Sequence, residues 1–330
     1  MRYTFIILLP VVMFVLWGCQ NGSDPVETDQ HIADQNAILA NIADIEASDT
    51  ADYFYADLNE GSEDMFISPA NGLMMKPVVP VKFGRIGLRP VVRDIRVEFT
   101  SDTTARVLFY KVLSGKFVVL TMDTSYVFQH IDRKMGHKFT RLAYFVKRGN
   151  SDASLRSRWR LAATSVVEGK SLGLTDSTRV ETSLTIEKVD IQNEGNTIEI
   201  VDPMTFVQRR DNILTLVPGS EVTVTVYVRN DAPDKVQVPA GEGTELVRLH
   251  FGCHPNWRQH DMYGISYLRW TGREDNGTNI YAGTWTVGPR FRINHAVVDV
   301  IDNGCIFDDD TQAYPYNSVT WGMPYRVKPM

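Results

Sequence analysis

From Ser183 to the end of the chain, apolar runs with turn residues between them recur every ten to fifteen residues, and no convincing helix interrupts them. The runs are Leu184–Ile191, Thr197–Val201, Ile213–Leu216, Glu221–Arg229, Glu245–Phe251, Ile265–Trp270, Asn279–Val287, Asn294–Ile301 and Val319–Val327. Short alternating segments of this kind bury one face each, and two layers of them closing on a shared core make a β-sandwich. In LVPGSEVTVTVYV a Pro-Gly turn leads into a strand with Val222, Val224, Val226 and Val228 on one face, and the threonines and Tyr227 on the other.

The first half reads differently. Between His31 and Ala47, Ile32, Ile38, Leu39, Ile42 and Ile45 recur at helical spacing, which predicts one amphipathic helix docked on a sheet. Residues 52–90 hold Pro69, Pro77, Pro80 and Pro90 with Gly72, Gly84 and Gly87, which predicts irregular structure with short strands. Beyond Pro90 the pattern turns to strands. Asp94–Thr100 alternates with Ile95, Val97 and Phe99 on one face. Arg106–Val112 and Phe117–Met122 flank Ser114-Gly115, read as a hairpin turn, and Lys138–Lys147 and Arg158–Val167 continue the series. Gly169–Ser177, rich in Gly, Ser, Thr and Asp, reads as a linker. The expected fold is mostly β with an α+β N-terminal part: a helix on a curved antiparallel sheet over 31–176, then a sandwich over 177–330.

Three stretches resemble known families. RWRLAATSVVEG resembles the last strands of cystatin-like and nuclear-transport-factor-2-like domains, which implies a cone-shaped concavity that holds a small apolar ligand or is filled by side chains. NIYAGTWTV, with Tyr281 and Trp285 two pleats apart, resembles a paired strand of immunoglobulin-like domains in extracytoplasmic bacterial proteins. At the start, Arg2 precedes Phe5–Trp17, an apolar stretch of 13 residues and too short for the roughly 20 that span a bilayer. With Leu16, Gly18 and Cys19 it resembles the lipobox of bacterial lipoproteins. That resemblance implies a signal peptide at 1–18, lipid attachment at Cys19, and a tether over 19–30 formed by QNGSDPVETDQ. Gln20 in place of aspartate implies an outer membrane, at its periplasmic face or the cell surface.

The chain has three cysteines. With Cys19 acylated, Cys253 and Cys305 remain, both just past strand runs, and an exported protein would be expected to pair them as a disulfide. Other chemistry is thinner. Gly169-Lys170-Ser171-Leu172-Gly173 fits the nucleophile elbow G-x-S-x-G, but the β-branched LTDSTRVETSLTIE follows where a helix should. His250, His254 and His260 lie around Cys253, and His250 and His254 are four apart, but Pro255 and the strand-like run Leu246–Phe251 exclude the helix on which a zinc pair of that spacing would sit. Asp302, Asp308 and Asp310 are the weak calcium candidates, lacking the alternating loop of an EF-hand. Tyr314, Tyr316, Trp321 and Tyr325, between prolines, would form an aromatic binding surface if exposed together and would close a core if not.

A formal charge of −6 makes the chain a poor nucleic-acid candidate, and its densest basic stretches, Arg141–Arg148 and Arg156–Arg160, are interleaved with core types and read as solvated strand faces, so nucleic acid is not an expected partner. No phosphate-binding glycine loop and no cofactor motif is present. These readings point to a lipid-anchored envelope protein serving as a binding or assembly module, with membrane through Cys19 and a protein or glycan as partners. An exported hydrolase with the sandwich as accessory domain and a purely structural tether are the alternatives.

Overall fold

The computed structural model describes residues 29–47, 65–66, 80–122, 127–149, 154, 158–174, 179–209, 212–237, 243–253, 264–289 and 293–328. In chain order these form α1 (Asp29–Ala47), β1 (Met65–Phe66), β2 (Pro80–Ser101), β3 (Thr104–Met122), β4 (Phe128–Lys147), β5 (Trp159–Ser165), β6 (Val167–Leu174) and β7 (Arg179–Glu181). There follow β8 (Leu184–Asn193), β9 (Asn196–Ile200), β10 (Val207–Arg209), β11 (Thr215–Leu216), β12 (Glu221–Asn230), β13 (Glu245–Cys253), β14 (Gly264–Arg273), β15 (Asn279–Thr286), β16 (Ile293–Asp302), a one-turn helix α2 (Gly304–Phe307) and β17 (Ser318–Val327).

Hydrogen-bonded neighbours define a curled antiparallel sheet in the order β2-β3-β4-β6-β17-β16-β13-β14. A second sheet runs β9-β8-β12-β15-β14. Strand β14 belongs to both: Gly264 to Leu268 pair with β13, and Arg269 to Arg273 pair with β15. Between the two sheets lies the first core. The four alternating valines of β12 meet Val298, Val300, Trp321 and Tyr325 from β16 and β17 there, all buried. Full burial of each valine contributes roughly 1.5–3 kcal/mol, which is why the period-two pattern of this region survives into the fold.

The concave side of the curled sheet is filled rather than open. Phe83, Phe117, Val119, Met135 and Phe139 from the long ribbon β2-β3-β4 close on Val297, Ile301 and the α2 turn. Farther along the same face of the ribbon, α1 covers Ala105, Val107, Ala143 and Phe145 with Ile38 and Ile42. Trp159 of the RWRLAATS segment sits on the sheet beneath the helix, its Nε1 donating to Asp34 Oδ1 at 2.8 Å, while Lys147 Nζ reaches Asp34 Oδ2 at 2.7 Å. The helix and its sheet stand where the alternation placed them.

Three local expectations give way. Ser114-Gly115 is not a turn, because β3 runs unbroken from Thr104 to Met122 and pairs with β4 over its whole length. Gly115 is there for close approach: a Cβ would lie 2.7 Å from the Ile86 carbonyl and 2.8 Å from Leu88 Cδ2, where β2 bulges around Gly87 at φ +63°. Likewise β2 passes through Gly84, Gly87 and Pro90, which an edge strand tolerates since its outer N–H groups face away from the ladder. The Gly169–Ser177 stretch is strand β6 up to Leu174, and β6 joins β4 to β17, so one sheet carries both halves of the chain.

Candidate functional site

Strand alternation sends Phe83 and Arg85 of β2 into the concave core, along with Val297, Asp299 and Ile301 of β16 and Leu246, Arg248 and His250 of β13. Charged residues therefore stand in phase with core residues on three strands, and they meet. Arg85 clasps Asp299 with both terminal nitrogens, Nη1 to Oδ2 and Nη2 to Oδ1, each at 2.8 Å. Arg248 Nη2 donates to the same Oδ2, and Ser318 Oγ donates to Oδ1 at 3.1 Å. His250 Nε2 lies 3.6 Å from Oδ2. Arg85 Nε donates to Tyr316 Oη at 2.7 Å, and Tyr316 Oη lies 3.1 Å from His137 Nδ1 on β4. His137 Nε2 is buried with no hydrogen-bond partner among the described residues.

Burial by itself would make Asp299 harder to ionise. Arg85 and Arg248 outweigh it and hold the carboxylate well below its ordinary range. For His137, burial and then the Arg85 charge act in one direction and push the imidazole down to about 3, so it is neutral at physiological pH. Burial and then Arg85 oppose one another at Tyr316, leaving its phenol raised. A bidentate, fully desolvated Arg–Asp pair is geometrically specific. It ties β2 to β16 across 214 positions of sequence, and its partners on β13, β17 and the Tyr316 loop make it a clamp between ribbon and sandwich.

A second polar network lies at one end of the sandwich. Glu245 Oε2 accepts from Asn279 Nδ2 at 2.9 Å and from Tyr281 Oη at 2.7 Å, and Thr244 Oγ1 donates to Oε1. Its cross-strand partner Asp302 accepts from Gly304 N at 2.7 Å and Asn230 Nδ2 at 3.1 Å. Burial, with Glu245 adding to it, pushes Asp302 up to about 6. Inside the sandwich, between Val189, Val224, Trp285, Val298, Trp321 and their neighbours, is an apolar cavity of about 20 Å³, room for about one water molecule.

The aromatic residues do not form a binding surface. Tyr316, Trp321 and Tyr325 are buried, because odd positions of β17 face the sandwich core and Tyr316 fills the concave core, where Tyr314 packs against it half-buried. The Cys253–Cys305 disulfide is likewise overturned. Cys305 is a buried free thiol, its Sγ 3.0 Å from the Pro315 carbonyl, which it donates to. Cys253 pairs in register with His295 near the start of β16, whereas Cys305 follows its end at Asp302. Antiparallel pairing puts those two ends about 23 Å apart at ~3.3 Å per residue, against the ~7 Å limit for a disulfide. The calcium candidates part in the same way: Asp302 turns into the buried network, while Asp308 and Asp310 accept backbone N–H groups of the following turn. Among the described residues no three His, Cys, Asp or Glu side chains are disposed to hold a metal. His250 joins the Asp299 cluster, and His254, His260 and Cys19 lie outside the described residues. Ser171 of the G-x-S-x-G match sits mid-strand, its Oγ accepting from Ser318 N at 3.0 Å. A nucleophile elbow needs a strand-to-helix turn, and none is present there.

No family model and no curated protein matches the chain. Among solved structures, a fragment of extended synaptotagmin 2 comprising its SMP domain and two C2 domains aligns over 89% of this chain and 96% of its own, at 8% identity and a TM-score of 0.14. That score is too low to imply a shared fold.

Proposed function

We propose that this chain is an exported envelope protein, anchored by lipid on Cys19 and favouring an outer membrane, that works as a binding or assembly module. Leu16, Gly18 and Cys19, followed by a polar spacer before α1, support the anchor. The observation that carries the binding reading is the outer edge of β2. Beyond the short pairing of β1 at Lys82 and Phe83, no strand among the described residues pairs with it from Gly84 to Ser101. An edge of that length is a template for an added strand, whose backbone would supply affinity and whose alternate side chains would supply choice. Val91 and Val92 on it are 53% and 41% exposed, flanked by Arg89 and Arg93. Pro90 and these arginines keep such an edge from pairing with itself indiscriminately. The clamp at Asp299 holds this ribbon rigidly on the sandwich.

A photo-crosslinking residue at Val91, introduced in living cells, is expected to yield adducts heavier than the chain, and one at exposed Val201 on the sandwich is not. Absence of adducts at Val91, or the same adducts at both positions, would sink the reading. Radioactive fatty acid tests the anchor separately: label is expected in the native chain and not in Cys19→Ser.

A further inference from the structure

Glu245 and Asp302 are direct partners across the antiparallel pair of β13 and β16, and both are buried. Among the described residues no cation is bonded to either carboxyl. Asp302 Oδ1 accepts from Gly304 N at 2.7 Å, and Oδ2 from Asn230 Nδ2 at 3.1 Å and Asn317 Nδ2 at 3.4 Å. Glu245 accepts from Thr244, Asn279 and Tyr281. All these donors are neutral. The nearby arginines are engaged elsewhere: Arg273 on β14 donates to Asn279 Oδ1 at 2.8 Å, and Arg133 on β4 donates to main-chain carbonyls. The other titratable groups here are Cys305 and Tyr314 beside Asp302, Tyr281 behind Glu245, Asp234, Asp308 and Asp310 around Tyr314, and Glu187 on β8, which accepts from Thr278. Two carboxyls facing each other in a dry site cannot both ionise freely, so the pair holds a proton toward neutral pH. Each of the four carboxyl oxygens already accepts an N–H or O–H from the protein, which leaves a proton rather than a metal ion as the cation this pair takes.

Asp302 also closes a loop of the chain. The segment from Asn303 to Asn317 joins β16 to β17, and Asp302 holds both its ends, Gly304 N at one and Asn317 Nδ2 at the other, while Asp302 N donates to the Asn317 carbonyl at 3.1 Å. This segment is wedged between ribbon and sandwich. Its Cys305, Ile306, Phe307 and Tyr316 are buried in one core with Phe83 and Phe117 of the ribbon. Arg133 Nε donates to the Tyr314 carbonyl at 2.7 Å and Arg133 Nη2 to that of Asp308 at 2.5 Å, and Arg85 Nε donates to Tyr316 Oη. We propose that the Glu245–Asp302 pair is a proton-operated latch: while it keeps its proton it closes the 303–317 segment onto the sandwich, and on losing the proton it lets that segment open to solvent. Opening returns Asp302 to water and to its ordinary proton affinity. In the closed form burial, with Glu245 adding to it, raises Asp302 to about 6, so closure is at full strength below the ordinary value and weakens as pH rises through about 6. The Arg85–Asp299 pair lies outside the segment and stays, while the bonds that Arg133 and Arg85 make to the segment are lost, so the ribbon is seated more firmly in acid. The latch needs neither the lipid anchor nor a strand added to β2.

The test is hydrogen exchange of the full chain at about pH 5 and about pH 7, read as protection factors so that the intrinsic pH dependence of exchange cancels. The amides of Ile306, Phe307 and Tyr314 are hydrogen-bonded within the segment. They are expected to lose about tenfold in protection between the two conditions, while staying less protected than Val224 and Val226 of β12, as a local opening requires. Asp302→Asn should abolish this pH dependence. Glu245→Gln, which removes the repelling charge and keeps an acceptor, should move it to lower pH. Alkylation of Cys305, a buried thiol of the closed segment, gives a second reading in the native chain, independent of how the variants fold: relative to the denatured chain at the same pH, its rate should rise about tenfold over the same range. Constant protection of the segment, a pH dependence that persists in Asp302→Asn, or exchange of the segment and β12 at one common rate would each overturn the latch.

Discussion

Replacing Asp299 by asparagine keeps the side chain's shape and removes its charge, leaving the Arg85 and Arg248 guanidiniums close together in a dry interior. Breaking a buried pair this way costs about 3–5 kcal/mol, and urea denaturation of Asp299→Asn should show a loss of that size; a change under about 1 kcal/mol would remove the clamp from the account. Two other buried groups titrate in opposite senses. Asp302 is raised from 3.8 to about 6, so its stabilising neutral form is fully present below the unfolded value and is lost as pH rises through about 6. His137 is lowered from 6.5 to about 3, so its stability is present above 6.5 and lost as pH falls. Each slope is about 1.4 kcal/mol per pH unit where it acts, and between about pH 4 and 6 they cancel. Thermal melts across that range should show Asp302→Asn losing stability as the medium is acidified and His137→Gln gaining it. Parallel slopes in the two variants would refute the assignment.

Among the elements, β6 shows what a glycine motif is for. A Cβ on Gly169 would lie 2.1 Å from Thr320 Oγ1 and 2.6 Å from His137 Nε2. Gly169→Ala should therefore destabilise by about 1–3 kcal/mol through overpacking, with Ser171→Ala costing only about 1 kcal/mol for one hydrogen bond, both measured by chemical denaturation. A larger loss at Ser171 would reverse this order and point to a role beyond pairing β17. The strands of the sandwich were legible because each exposes one period-two apolar face to one core. The hairpin at Ser114-Gly115 and the linker at Gly169 were misread for a shared reason. In both, glycine answers a neighbour distant in sequence, Ile86 in one case and Thr320 in the other, and a local pattern carries no trace of it. The candidate site left a fainter mark: Arg85, Arg248 and Asp299 sit in phase with core residues on their strands, a signal visible in the sequence, while their convergence on one carboxylate was not.

Across the whole molecule, the curl of one sheet decides which groups meet. It carries Cys253 and Cys305 to opposite ends of β16 and encloses Cys305, where burial, and then Asp302, raise its thiol above the ordinary value. Mass spectrometry after alkylation of the denatured, unreduced chain should find Cys305 as a free thiol, and reductant should leave the melting temperature unchanged. A peptide joined through Cys253 and Cys305 would contradict the register of β13 on β16. The same curl sets the ribbon's concave face against α1 and the sandwich.

The sequence alone determined the β-rich class, the single N-terminal helix and most strand positions, because hydrophobic periodicity is a local property that burial reads one segment at a time. Only the tertiary structure decided that the aromatic C-terminal segment faces inward, that the cysteines are apart, that the concavity is filled, and that three charged residues far apart in the chain form one clamp. Those outcomes depend on register and curvature, which arise when strands distant in sequence pair and which no single segment encodes.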